Sequence, residues 1–244
     1  MCGRYYVDDN TAEEIEKVIR LVDAKANGKL PVVEHIHRGD VRPSEIAPVL
    51  LKKGTILTIC NERWGFPGKE GKTLVINARS ETVNEKSMFS DSVAHRRIAI
   101  PAAGFYEWNK DKKKYTFQRK DKKLLWMAGF YNRFWEEDRF VILTTGANTS
   151  MEPVHDRMPL ILEEDELIPW IMEDGSCGKI LKRTPCQLNR STLRMSYSFP
   201  SISAIKISSN VIGTSFINTG EKLFSRAIVS GCIRTISVTK YPSA

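Results

Sequence analysis

The sequence predicts an α+β fold: a single domain, residues 1–244, built on a largely antiparallel sheet system with a few flanking helices. Three observations predict it. An amphipathic stretch near the start has helical spacing, a long series of short β-type segments follows, and charged turns too short for crossover helices separate those segments. The 244 residues are 41% hydrophobic and 27% charged, which supplies a sizeable core and excludes a disordered or fibrous chain.

The first helix is expected over roughly 11–27. Thr11 followed by Glu14 forms a capping box, Ile15, Val18, Ile19 and Val22 recur at helical spacing, and Gly28 ends the run. Strands are expected at 46–51 and 55–60 around a Lys52-Lys53-Gly54 turn, then at 74–78, 97–100 and 105–108. Further strands at 115–119, 124–131 and 140–145 continue the series, separated by charged turns near Asp111, Asp121 and Glu136, and suggest an antiparallel meander. A second helix is expected over 163–172. Beyond Cys177, short Ile and Val segments alternate with Ser, Thr and Gly and suit edge strands of unreadable register.

Eight residues, Leu124 to Tyr131, form the longest interior apolar run, less than half of a bilayer span, and the first twenty residues hold no signal-peptide core. The expected location is cytoplasmic, with nucleoid association in a bacterium. Five cysteines at 2, 60, 177, 186 and 232 include no Cys-x-x-Cys pair, which argues against a disulfide framework and a zinc knuckle. His35 and His37 lack a third ligand cluster and are read as surface residues; no metal or cofactor is expected. The net charge of +8 is uneven: residues 1–174 carry 27 basic against 28 acidic groups, and residues 175–244 carry 10 against one. A basic Ser-rich segment, 177–244, attracts polyanions or is simply a solvated extension.

Cys2 follows Met1 directly, and a small second residue permits removal of the initiator methionine. A terminal cysteine holds an amine of pKa about 8 and a thiol of pKa about 8.5 two carbons apart. With an aldehyde the pair can close a five-membered thiazolidine, a ring no internal cysteine can make; with an amide it can act as nucleophile and base. The dipeptide alone favours an ordinary cysteine that happens to sit second. Glu107 lies among aromatics in Gly104-Phe105-Tyr106-Glu107-Trp108, where desolvation would raise its pKa toward the range useful for proton transfer, unless it sits on the outward face. His155 sits in a loop pinned by Pro153 and Pro159, beside Asp156 and Arg157. Asn77, Arg79 and Glu81 end an apolar strand, and Arg79 could fork onto a phosphate or onto Glu81, the pair within the segment being the safer reading.

Taken together, Met1-Cys2-Gly3-Arg4, Arg63-Trp64-Gly65, Asn77 to Thr82, Ile100-Pro101-Ala102 with Gly104 to Trp108, Thr144-Thr145 with Ala147-Asn148, and His155 to Pro159 resemble the SOS-response-associated peptidase (SRAP) family, the abasic-site processing proteins. The segments occur in the family's order, and the resemblance weakens beyond Ser176. It implies a barrel-like sheet core and a protein that captures the aldehyde of an abasic site in single-stranded DNA on terminal Cys2, after a peptidase step removes Met1. It further implies that Asn77 holds the cysteine, Glu107 shuttles protons and His155 assists sugar ring opening. Arg4, Arg79 and Arg157 would contact phosphates, and Trp64 and Trp108 would stack on bases. The expected partner is single-stranded DNA containing abasic sites, with no membrane, and the expected state a monomer. Two other readings stay open: an N-terminal-nucleophile amidohydrolase of the glutamine amidotransferase type, and a noncatalytic single-strand binding module.

Overall fold

The structure, a computed structural model, describes residues 2–25, 36–68, 71–192, 214–219, 222–229 and 232–238. In chain order β1 (Tyr5–Val7) and α1 (Asp9–Lys25) are followed by β2 (Gly39–Val41), β3 (Ile46–Lys53), β4 (Ile56–Trp64), β5 (Phe66–Pro67), β6 (Leu74–Val75) and β7 (Asn77–Arg79). After α2 (Ser90–His95) come β8 (Arg97–Ala102), β9 (Gly104–Trp108), β10 (Lys114–Arg119), β11 (Leu125–Phe134), β12 (Glu137–Gly146), β13 (Arg157–Pro159) and β14 (Ile161–Leu162). α3 (Leu167–Met172), α4 (Cys177–Ile180) and β15 (Leu188–Ser191) complete a compact unit spanning residues 1–193. In a second unit, residues 194–244, β16 (Thr214–Thr219), β17 (Lys222–Val229) and β18 (Cys232–Val238) form an antiparallel sheet. No helix among the described residues is long and apolar enough to cross a membrane.

The α+β expectation holds, and the sheet system closes. β12, β4, β3, β8 and β11 pair in that order and β11 returns to β12, making a five-stranded barrel. Trp64, Phe130, Phe140, Ile98, Ile100 and Leu51 are fully buried in its strands. β11 lies tight against its neighbours at Gly129, where an added Cβ would lie 2.5 Å from the Val141 carbonyl and 2.6 Å from Ile100, so only glycine fits. Beside the barrel, β15-β10-β9-β1-β2 forms a five-stranded antiparallel sheet with Phe105 stacked on Phe117 at 5.2 Å.

The sheets correct the meander. β9 and β10 leave the barrel for the second sheet, and β12 pairs in parallel with both β4 and β7. Local details shift as well. Asp8, not Thr11, caps α1, accepting the Thr11 N–H at 2.8 Å. The positive φ of the β3–β4 turn falls on Gly54, so Lys52 and Lys53 remain in β3, with Lys53 opposite Ile56. The helix expected over 163–172 is α3, preceded by a 3-10 turn at Glu164–Glu166 whose capping box is formed by Glu163 and Glu166, and α2 stands where no helix was expected.

Candidate active site at the chain start

Cys2 is fully buried just ahead of β1, and its carbonyl accepts a hydrogen bond from the Asn77 side-chain amide at 2.9 Å. Asn77 reaches it because β7 pairs with β12, Asn77 standing opposite Ile142, which fixes the start of β7. Burial, then the charge of Glu107, pushes the Cys2 thiol up to about 12, with a backbone hydrogen bond at Arg4 pulling the other way. With Met1 still attached the thiol is therefore protonated at neutral pH; the expectation of partial ionisation concerned Cys2 as the terminal residue. Glu107 faces inward, at 5% exposure, in β9. The alternation places it on the face of Phe105, which pairs with Tyr5 of β1, so the outward-face alternative falls away.

β12 extends beyond β4 and β11, and its far end takes β7 on one edge and β13 on the other. The loop from β12 to β13 carries His155. Its Nδ1 accepts the Arg157 N–H at 2.9 Å and lies 2.9 Å from an Asp156 carboxylate oxygen. The first contact suits the neutral ring and the second the protonated ring, so one nitrogen has a partner in either state.

The arginines and tryptophans divide. Arg157 forks onto Glu81 at 2.7 and 2.8 Å and also donates to the Thr144 carbonyl at 2.7 Å, so Glu81 pairs with Arg157 rather than with Arg79. A phosphate reaching Arg157 would therefore share or displace its contact with Glu81. Arg79 is exposed and makes no ion pair among the described residues. Trp64 is fully buried, its indole N–H donating to the Ile76 carbonyl at 3.0 Å and its ring 6.3 Å from Phe140, so it is a core residue and not a base-stacking one. Trp108 is partly exposed, with the Arg4 guanidinium 5.6 Å from its ring; Arg4 also lies 3.6 Å from Asp40. Lys114, which motif reading passed over, has its ammonium 3.4 Å from the centre of the Tyr106 ring and 5.9 Å from that of Trp108. The lysine run was visible in the sequence, but only strand register places it here. Among the described residues no group of three or more His, Cys, Asp or Glu could hold a metal.

A buried cysteine tethered through its carbonyl, with an acid whose charge acts on its thiol, suits nucleophilic and proton-transfer chemistry. The sequence profile described as SOS response associated peptidase (SRAP) matches residues 1–197. Abasic site processing protein YoqW of Bacillus subtilis (strain 168) is 30% identical over 186 residues, covering 70% of this chain and 80% of that protein. YedK of Escherichia coli (strain K12), which bears the same description, is 29% identical over 185 residues, 72% of this chain and 82% of its own. A crystal structure of a Bacteroides thetaiotaomicron protein superposes with a TM-score of 0.63 over 80% of this chain and 93% of that one, and its 20% identity makes it evidence of fold alone. The matched residues 1–197 include Cys2, Asn77, Glu107 and His155, and the chain belongs to the SOS response associated peptidase family.

Proposed function

We propose that the protein processes abasic sites in single-stranded DNA during the DNA damage response, and that Cys2, freed of Met1, captures the ring-opened sugar aldehyde as a thiazolidine. The observation that carries this reading is the 2.9 Å hydrogen bond from Asn77 to the Cys2 carbonyl. It commits a side chain to the main chain of residue 2, which positions amine and thiol together rather than packing a side chain. Relatives named abasic site processing proteins in bacteria, yeast and vertebrates support the same reading.

Removal of Met1, by the chain itself or by an aminopeptidase, turns an amide nitrogen into a primary amine. Asn77 Oδ1, buried with no hydrogen-bond partner among the described residues, is the acceptor for one N–H of that amine. The amine adds to the aldehyde carbon, and Glu107 carries a proton from the nitrogen to the carbinolamine hydroxyl, which leaves as water. The sulfur then adds to the imine carbon, and Glu107 passes the thiol proton on to the nitrogen, which becomes the ring amine. One aldehyde and one aminothiol give one thiazolidine and one water. A thiol held near 12 stays protonated at neutral pH, so this attack needs a base beside it. His155, with a partner for Nδ1 in either protonation state, assists opening of the sugar ring.

Intact mass after incubation with an abasic single-stranded oligonucleotide tests the reading. The expected product is protein lacking Met1 plus oligonucleotide minus one water, with no adduct on Cys2→Ala. An undiminished stable adduct on Cys2→Ala, or none on the parent protein, overturns it. Release of ammonia from glutamine would instead point to the amidohydrolase.

A further inference from the structure

The sheet beside the barrel carries a charge pattern that capture chemistry does not use. Between β9 and β10, Lys110, Lys112, Lys113 and Lys114 stand against one acid, Asp111, whereas residues 1–174 as a whole are balanced. Lys110, Lys112 and Lys113 are exposed and make no ion pair among the described residues. Their backbone is held by Asn109, whose Oδ1 accepts the N–H groups of Asp111 at 3.1 Å and Lys113 at 2.9 Å, and whose carbonyl accepts that of Lys112 at 3.0 Å. Such a turn presents its ammonium groups from a fixed base, which lowers the ordering cost of binding.

The start of the chain runs beside the strand that leads into this hairpin. Tyr5 pairs with Phe105, the Tyr106 N–H donates to the Arg4 carbonyl at 2.9 Å, and the Arg4 guanidinium, two residues after Cys2, lies 5.6 Å from the Trp108 ring. Trp108 in turn pairs with Lys114, the first residue of β10 after the turn. Tyr106, stacked on Tyr6 at 5.1 Å, and Trp108 make a partly exposed aromatic plate edged by Arg4 and Lys114. Cations beside stacking surfaces are what single strands bind. Arg157 shares its charge with Glu81 and Arg4 with Asp40, whereas the exposed lysines of the hairpin add positive charge that is not paired with an acid among the described residues.

We propose that the hairpin Lys110 to Lys114 is a phosphate-binding arm that holds single-stranded DNA on one side of the captured sugar, with its bases over Trp108 and Tyr106. The proposal rests on reading Cys2 as the residue that captures DNA. The test uses the full chain and a fluorescent single strand containing one tetrahydrofuran site, which lacks the aldehyde and so reports binding without capture. Lys110→Gln with Lys112→Gln is compared with Lys120→Gln and Lys122→Gln, an exposed pair at the other end of β10 carrying the same change of charge. The first pair should weaken binding about fivefold to tenfold at moderate salt and flatten the slope of log affinity against log salt by about 1.4, from roughly 0.7 per phosphate contact. The second pair should change affinity less than twofold. Equal weakening by both pairs, or an unchanged slope in the first, overturns the arm. If the parent captures abasic DNA while its affinity ignores the hairpin, the arm alone fails; if it neither binds nor captures, both readings fail.

Discussion

The Asn77 amide donates to the carbonyl of Cys2 at 2.9 Å across a sequence separation of 75 residues. Replacing Asn77 with Ala removes a bond of about 1 kcal/mol and lets the first residues drift, so capture should slow about tenfold. Asn77→Asp should be slower still, because a carboxylate cannot donate to that carbonyl. Single-turnover capture measured on denaturing gels checks both; equal rates for all three proteins would make the contact incidental.

Glu107→Gln separates two roles by sign. The charge of Glu107 raises the Cys2 thiol, so removing it should lower the thiol pKa and shift alkylation of Cys2 by iodoacetamide to lower pH. Capture should nevertheless slow by about 10² to 10⁴, the usual cost of losing acid–base help. If capture accelerates along with alkylation, Glu107 acts only through its field.

The two tryptophans should respond differently. Trp64→Leu removes a fully buried ring packed against Tyr5 and Phe140, and should cost about 3 to 5 kcal/mol of stability, read by chemical denaturation. Trp108→Leu should leave stability nearly unchanged and weaken single-strand binding by about 1 to 3 kcal/mol. The reverse pattern would return Trp64 to the DNA surface.

Glu62, buried in β4, has its carboxyl raised from 4.5 to about 7 by burial and then by the charge of Asp138. A raised acid stabilises the fold fully only below its unfolded value. Between about pH 4.5 and 7 the unfolded chain ionises first, so this contribution is progressively lost, and above 7 the penalty is constant. The stability gained in Glu62→Gln should therefore rise across that window and then level off. Urea unfolding at pH 4.5, 6 and 8 reads it, and a pH-independent difference would place the acid in water.

Elements with strong local signals were legible: the apolar spacing of α1 and the charged turns bounding β10, β11 and β12 marked them to within a few residues. Pairing was not, because local alternation does not say which strand lies beside which; the parallel contacts of β12 with β4 and β7 join segments more than 60 residues apart. Site residues were legible as types but not as environments. Trp64 and Trp108 have the same side chain, yet one is closed over by Tyr5 and Phe140 and the other lies under Arg4. Arg79 and Arg157 differ likewise through the reach of Glu81 across β12, which depends on sheet register.

The parallel pairing of β12 bears on the order in which the molecule is made. β7 is three residues long and finds its place only after β12, more than 60 positions later, has been synthesised and has joined the barrel. Contacts so distant in sequence form slowly, because loop closure must precede the contacts that reward it. The tether from Asn77 to Cys2 thus assembles among the later events of folding, although the two residues it joins are both made before β12. A nascent chain carries the Cys2 thiol unplaced until then, and the surroundings that raise its pKa take shape only when the barrel closes.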